Sequence, residues 1–249
     1  MSWKSKVVWS EGLFLRPQHF QQQGRYFESF VETRCGSLRP YAWGFTELKI
    51  DADLLSIGKL AIASASGVFP DGTPFSIPES DEPPVPMDIG SNVHNEMYYL
   101  CLATRKPDAK DFGISEGESL IRYKIREHEA RDSDSPLDTS AQMQVGSLFT
   151  RLLADSDQRA DYACLGVARV IESRVDKQVV LDDAYIPPTL SCGSVRRLAG
   201  FVTELQGLLN HRGEAISHRV SDAGKGGAAE VAEFLMLQLV NRYQPVFSH

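Results

Sequence analysis

The chain has 249 residues, with 26 basic and 33 acidic side chains and a formal charge of −7. Apolar residues make up 42% and charged residues 24%, an ordinary globular balance that excludes a chain disordered throughout. No run approaches the roughly 18 consecutive apolar residues of a helical membrane span, and the acidic balance argues against nucleic acid as the main partner.

Residues 3–15 read as extended and alternate in character without leading into a long apolar stretch, so no secretory signal is expected and the expected compartment is the cytoplasm. Pro17 suits the first turn of a helix, where its missing N–H costs nothing. Phe20, Phe27, Phe30 and Val31 then recur at helical spacing, which predicts an amphipathic helix over 17–34 with Gly36 as its stop and Pro40 beyond. From residue 41 the period changes to two, and strands are predicted over 41–50 and 59–69. Six of the 13 prolines fall within residues 70–86, which makes that segment a long ordered loop or a sheet edge.

Further strands are expected at 97–104, 120–128, 144–153, 162–171 and 178–185, with Asp176-Lys177 in a hairpin turn. In the second of these Ile121, Tyr123 and Ile125 share one face. Arg122, Lys124, Arg126 and His128 share the other, expected to be solvated or paired. Residues 129–140 are polar and are expected to be mobile. Many short strands without regular intervening helices predict an antiparallel β-sandwich rather than a βαβ fold. Pro187-Pro188 marks a boundary, after which the helical period returns. Val195, Leu198, Ala199, Val202, Leu205, Leu208 and Leu209 form one stripe, and Val231, Phe234, Leu235, Leu237 and Leu239 begin another. Gly224–Gly227 reads as the connection between the two helices. A helical pair cannot bury such stripes alone, so this part is expected to associate with other copies or with further sequence. The divisions that follow are an N-terminal arm and helix (1–34), a β-sandwich (35–188) and a helical region (189–249).

Few constellations carry chemistry. His211, Glu214 and His218 fall on one helix face at a spacing that suits metal ligands, but a polar helix face explains them better. Asp132, Asp134 and Asp138 lack the glutamate that closes a calcium loop. Neither a Gly-x-Ser-x-Gly elbow nor a phosphate loop occurs, and the four cysteines form no CxxC pair. Cys101 and Cys164 read as buried thiols. No catalytic residue, metal or cofactor is therefore assigned.

The first 40 residues stand apart. They carry a charge of +3 against −10 for the remainder, and seven of the 23 aromatic residues. Such a segment is either a docking arm or a terminus folded onto its own domain. Val7 to Gln23 is dense in apolar and special residues: Gly12 implies a bend, and Trp9, Leu13 and Phe14 need a surface to bury against. The glutamines 21–23 can bond a neighbouring backbone from the helix.

The run Trp9-Ser10-Glu11-Gly12-Leu13-Phe14-Leu15-Arg16-Pro17-Gln18-His19-Phe20-Gln21-Gln22-Gln23 resembles the N-terminal signature of the TssK family, baseplate components of the bacterial type VI secretion system. Trp43-Gly44-Phe45, Gly67 to Phe75, Tyr185-Ile186-Pro187-Pro188, Glu233 to Gln238 and Asn241-Arg242 extend the resemblance along the chain. It implies a structural protein rather than an enzyme, with a sandwich like the shoulder of phage receptor-binding proteins, a helical trimer neck and a C-terminal head that this sequence lacks. It implies docking onto the wedge proteins TssF and TssG at the cytoplasmic side of the inner membrane. In the longer family members it also implies contact with the membrane complex TssL/TssM through the head. On that resemblance, wedge docking is expected of Trp9, Leu13, Phe14, Leu15, Arg16, His19 and Phe20. A homotrimer interface is expected of Val195, Leu198, Val202, Leu205, Leu209, Phe234, Leu235 and Leu239. The competing reading is a sandwich that binds a sugar or peptide in a phage-like adsorption apparatus, which would place exposed aromatics on a sandwich face.

Overall fold

The computed structural model describes residues 3–38, 40–107, 109–114, 120–134, 139–174, 178–222 and 228–247. They form two compact units, Met1–Ser191 and Cys192–His249. Helix α1 (Pro17–Leu38) opens the first unit, followed by β1 (Gly44–Ile50), the short α2 (Ala52–Ser56), β2 (Lys59–Leu60), β3 (Ile62–Val68) and β4 (Pro74–Ile77). Then come β5 (Met87–Asp88), β6 (His94–Ala103), β7 (Phe112–Gly113), β8 (Tyr123–Arg131), β9 (Ser140–Leu148), β10 (Thr150–Ala154), β11 (Tyr162–Ser173) and β12 (Val179–Leu181).

The strands form a four-stranded sheet ordered β10-β6-β11-β12, three-stranded sheets β1-β3-β4 and β7-β8-β9, and the pair β2-β5. All pairings between these strands are antiparallel except β7 with β8. The mainly β, antiparallel expectation is borne out. One core joins the first two sheets. Phe45 and Phe75 meet edge to face at 5.9 Å, Phe69 lies 4.7 Å from Phe75, and Leu60, Leu100, Leu102, Leu165 and Val170 close around them, all buried. The proline-rich segment is both loop and edge: Pro74–Ile77 form β4, the outer strand of its sheet, and 78–86 lie in no strand or helix. The backbone of 188–190 straps β1: Phe45 N–H donates to the Pro188 carbonyl (2.9 Å) and Leu190 N–H to the Phe45 carbonyl (2.8 Å).

Several expectations need correction. Helix α1 runs through Gly36 to Leu38. A lone glycine costs a helix only about 1 kcal/mol, and Gly36 does not end this one. The 59–69 strand is two, broken at Ala61, whose carbonyl accepts from Asp51 N–H. The 144–153 strand is also two, because Phe149 N–H turns aside to the Arg122 carbonyl at 2.9 Å. The segment expected to be mobile is partly strand: β8 and β9 pair without interruption from Tyr123↔Leu148 to Arg131↔Ser140, and their polar side chains mark a two-sided wet ribbon. Residues 135–138, the proposed turn at Asp176-Lys177 and the Gly224–Gly227 connection lie outside the described residues.

Cys101 and Cys164 are cross-strand partners on β6 and β11, their sulfurs 2.9 Å apart as free thiols. Cys101 is buried, and Cys164 only partly so. Next to them Tyr185 packs so closely on β11 that a methyl group on Gly166 would stand 2.2 Å from its hydroxyl oxygen. Burial pushes the Tyr185 phenol up to about 12, with the nearby Tyr99 adding to the effect. A raised phenol keeps its proton in the folded state after the unfolded chain has lost it. Its contribution to stability is therefore full below pH 10 and falls away between about 10 and 12. We expect a thermal midpoint that drops across that window, with a shallower drop for Tyr185→Phe. A drop unaltered by the substitution would assign the effect elsewhere.

The second unit consists of α3 (Arg196–Asp222) and α4 (Ala228–Tyr243), flanked by the 3₁₀ turns Cys192–Ser194 and Gln244–Phe247. The helices run antiparallel. Gln244 Nε2 donates to Asn210 Oδ1 at 2.6 Å near one end, and Arg219 Nε donates to Glu233 Oε1 at 2.8 Å near the other. Ile216 and Val240 are buried in the seam, where Gly213 lets α3 approach Val240 closely. Much of the rest is left open: Phe201, Leu208, Val231, Phe234, Leu235, Met236 and Leu239 are all exposed.

Candidate functional site

The N-terminal arm lies along α1 and is tied to it residue by residue. Arg25 stacks over the Trp3 ring at 5.6 Å, Gln22 Nε2 donates to the Ser5 carbonyl at 2.6 Å, and Lys6 sits over Tyr26 at 5.9 Å. Trp9 packs on both His19 (6.2 Å) and Phe20 (6.3 Å). The expected bend is present: Gly12 has φ +81, and Leu13 N–H donates to the Ser10 carbonyl. The glutamine-to-backbone bond expected from the triplet is made by Gln22.

The bend delivers the chain to the start of α1. There Arg16 N–H donates to His19 Nδ1 at 3.0 Å, and His19 N–H donates back to the Arg16 carbonyl at 3.0 Å. This is the reverse half of a capping box, with a histidine doing what a glutamate usually does. It satisfies an otherwise open helix-end donor and fixes where Phe14, Leu15 and Phe20 point. They point outward: Phe14 is 79% exposed, Leu15 55%, Phe20 59% and Trp9 50%. Arg16 is exposed as well, while Leu13 and His19 are half-buried.

The α1 stripe differs from its expected role. Phe27, Phe30 and Val31 are about half exposed and no residue of α1 is buried, so this face is not part of the core. Polar contacts instead hold the helix to the β-domain. Arg105 forks onto the Glu28 carboxylate and donates to Tyr123 OH at 2.7 Å, while Lys4 of the arm pairs with Glu32 of the helix at 3.8 Å. Behind them is Arg122, which the strand alternation places on the wet face but which is 2% exposed. It donates to the Ala103 carbonyl, to Asp71 Oδ2 (2.8 Å) and to Thr73 Oγ1. Arg122 precedes β8 and therefore does not follow that strand's pleat. Lys124 and Arg126, which do, are paired: both donate to Glu82, whose carboxyl is held below its usual range by Arg126 first and Lys124 second.

Asp71 stands opposite a guanidinium almost wholly removed from water. Asp71→Ala should cost about 2–3 kcal/mol, because an unpaired buried charge is the expensive outcome and Thr73 and a carbonyl compensate only in part. The check is a denaturant midpoint that falls at constant m; a fall below 0.5 kcal/mol would mean that water replaces the carboxylate.

Sequence reasoning missed the anchors Arg105 and Glu28, since no local pattern distinguishes a paired surface arginine, and it placed Arg122, which is buried, on a solvated face. His211, Glu214 and His218 lie along α3. Among the described residues no group of three or more His, Cys, Asp or Glu side chains is placed to hold a metal ion. No described helix is long and apolar enough to cross a membrane. The docking set belongs to the first unit and the oligomer set to the second.

The fold is therefore that of a mainly β protein with a C-terminal helical region. The family model described as "Bacterial Type VI secretion, VC_A0110, EvfL, ImpJ, VasE" matches residues 19–249, and the chain belongs to this family, that of TssK. It is 47% identical over 251 residues to the type VI secretion system baseplate component TssK1 of Pseudomonas aeruginosa, an alignment spanning all of this chain and 56% of the relative. A crystal structure of TssK superposes with a TM-score of 0.83 at 40% identity, covering 99% of this chain and 56% of that one. The TssK–TssF–TssG baseplate subcomplex seen by cryo-electron microscopy contains a chain that matches at TM-score 0.80 and 22% identity, covering 98% of this chain and 79% of that one, a likeness of fold. The present chain thus spans little more than half of its curated relative. The resemblance read from the opening motif is borne out.

Proposed function

We propose that this chain is a structural part of a type VI secretion baseplate and docks onto a TssF/TssG wedge through its N-terminal arm. The observation that carries the reading is the exposed row Trp9, Phe14, Leu15, Arg16 and Phe20, projected from a capped and anchored helix start. Exposed aromatic and arginine side chains on a rigid support are what interface anchors require. Leu13 and His19, half-buried, complete the surface and hold its shape. The baseplate role of the Pseudomonas relative and the composition of the cryo-electron-microscopy subcomplex support the choice of partner.

The same reading makes the second unit an oligomer surface, with Val195, Leu198, Val202, Leu205, Leu209, Phe234, Leu235 and Leu239 packing between protomers of a homotrimer. Phe234, Leu235 and Leu239 on α4 are exposed, whereas Val195, just before α3, and Leu198, Val202, Leu205 and Leu209 on it are half-buried, and the exposed apolar side chains of that helix are Phe201 and Leu208. The exposed set supports the reading, because apolar surface of that extent is costly in water. Contact with a TssL/TssM membrane complex belongs to the family's C-terminal head, and the chain itself works at the cytoplasmic face as a structural part rather than as an enzyme.

The experiment is co-purification with TssF and TssG co-expressed from the same source, using the wild type beside a form lacking residues 1–20. Retention of the first and loss of the second is the expected result. Retention of both would move the contact to the β-domain, and loss of both would refute the partner assignment.

A further inference from the structure

The four-stranded sheet carries a pair of thiols that wedge docking does not use. Leu100 and Leu102 on β6 and Leu165 on β11 turn toward the aromatic core. Cys101 and Cys164 are offset from them by one residue and directly opposite each other in the register, so they stand together on the other face of the sheet. Both are free thiols. Cys101 is fully buried, and Cys164 is partly exposed. Cys101 Sγ–H donates to Cys164 Sγ at 2.9 Å.

Residues directly opposite in an antiparallel pair have Cα atoms about 4.5 or about 5.5 Å apart, and a disulfide accepts about 4.4–6.8 Å. The backbone is therefore already spaced for a bond, and the sulfurs need only close by less than about 1 Å to reach bonding distance. The two thiols also differ. The hydrogen bond from Cys101 holds the Cys164 thiol below its ordinary range, against the opposing effect of partial burial, and the Arg159 guanidinium, itself paired with Asp155, adds to the lowering. The same hydrogen bond, with burial second, pushes the Cys101 thiol up. Cys164 is thus the sulfur that ionises first, and the thiolate is the form that oxidants attack. Cys101 keeps its proton behind it.

We infer that Cys164 and Cys101 are a modification site for hydroperoxides, with Cys164 the sulfur that is oxidised and Cys101 the sulfur that resolves it, closing a reversible disulfide between β6 and β11. The peroxide O–O bond breaks as Cys164 Sγ takes one oxygen and becomes a sulfenic acid. The departing hydroxide collects the proton that Cys164 gave up and leaves as water. Cys101 Sγ then attacks Cys164 Sγ, the S–O bond breaks, and the Cys101 proton leaves with the hydroxyl as a second water. The two thiols lose two electrons, and the peroxide is reduced by two. The inference does not rest on wedge docking and would survive its failure.

The test treats the reduced whole chain with hydrogen peroxide, stops the reaction with catalase, alkylates the remaining thiols in denaturant and maps the peptides by mass. The exposed Cys35 and Cys192 are the internal controls. A linked Cys101–Cys164 peptide is expected, two hydrogens lighter than its parts, at a dose that leaves Cys35 and Cys192 mostly alkylated, and dithiothreitol should restore both thiols. In Cys101→Ala the sulfenic acid has no partner, so dimedone should label Cys164. Should that variant fold poorly, Cys164→Ser, at a partly exposed position, should leave Cys101 unoxidised at the same dose. Oxidation of Cys35 and Cys192 ahead of the pair, sulfinic acid on Cys164 without the link, or a link from either member to Cys35 or Cys192 would overturn the inference.

Discussion

Replacing Gly67 by alanine is expected to destabilise the β-domain by about 3 kcal/mol or more, among the largest effects available to a single methyl group. Gly67 faces Phe45 across the β1–β3 pair. A Cβ there would stand 2.2 Å from the Gly44 carbonyl oxygen and 2.9 Å from Phe45 Cα, both backbone atoms that no side-chain rotation can move. Gly44 is crowded from the other side: its φ is +134, and a Cβ would meet the Pro188 carbonyl carbon and oxygen at 2.8 Å. The two glycines therefore let three stretches of backbone, β1, β3 and the strap at 188–190, close over Phe45, which is fully buried. Gly36→Ala is the control. It sits within α1 with nothing within 4 Å of the added atom, so it should be neutral or stabilising by up to about 1 kcal/mol. Denaturant unfolding of the two variants decides the point. Equal midpoints would mean that β3 slides away from β1 at little cost.

That geometry also explains why some of the fold was legible in the sequence. Trp43-Gly44-Phe45, Gly67-Val68-Phe69 and Tyr185 to Pro188 stand far apart in the chain yet meet at one place, and each was singled out as a motif. At two of these positions, Gly44 and Gly67, close backbone contact leaves no room for a side chain. Strands β6 and β11 and helices α1 and α3 were legible because long periodic runs leave few alternatives. The strand breaks at Ala61 and Phe149 were not, since each is made by a partner elsewhere: Asp51 claims the Ala61 carbonyl, and the Arg122 carbonyl claims Phe149 N–H. Helix α2 escaped notice because its main local signal is one Asp51 cap, accepting from Asp53 and Leu54 N–H. Periodicity placed Arg122 on a polar face, whereas burial is decided by Asp71, Thr73 and Ala103, remote in sequence. The α1 stripe shows the converse: helical spacing of apolar residues states that a face needs covering and does not say by what. In this chain the β-domain grips α1 through Arg105 and Glu28 and leaves Phe27, Phe30 and Val31 about half exposed.

The double substitution Phe14→Ala with Arg16→Ala is expected to weaken capture by a TssF–TssG wedge on the order of a hundredfold, about 3 kcal/mol, since anchor side chains are typically worth about 2 kcal/mol each and do not add fully. The choice of residues rests on what they do not touch. Phe14 is 79% exposed and Arg16 contributes to the helix cap only through its backbone, so alanine at both positions keeps the Arg16–His19 pair and the bend at Gly12. Stability and secondary structure should therefore be unchanged while binding falls. Trp9→Ala is a poorer probe because its ring packs on His19 and Phe20, and its removal would alter the arm's shape together with its surface. The readout is surface-immobilised capture of purified wedge by wild-type and variant chains at equal concentration and at two salt strengths. Loss that persists at high salt identifies Phe14 as the dominant anchor, because apolar burial is not screened, whereas a loss confined to low salt assigns it to Arg16. Capture that is unchanged at both salt strengths would place the wedge contact outside the arm and return Phe14, Leu15 and Phe20 to an unexplained apolar surface.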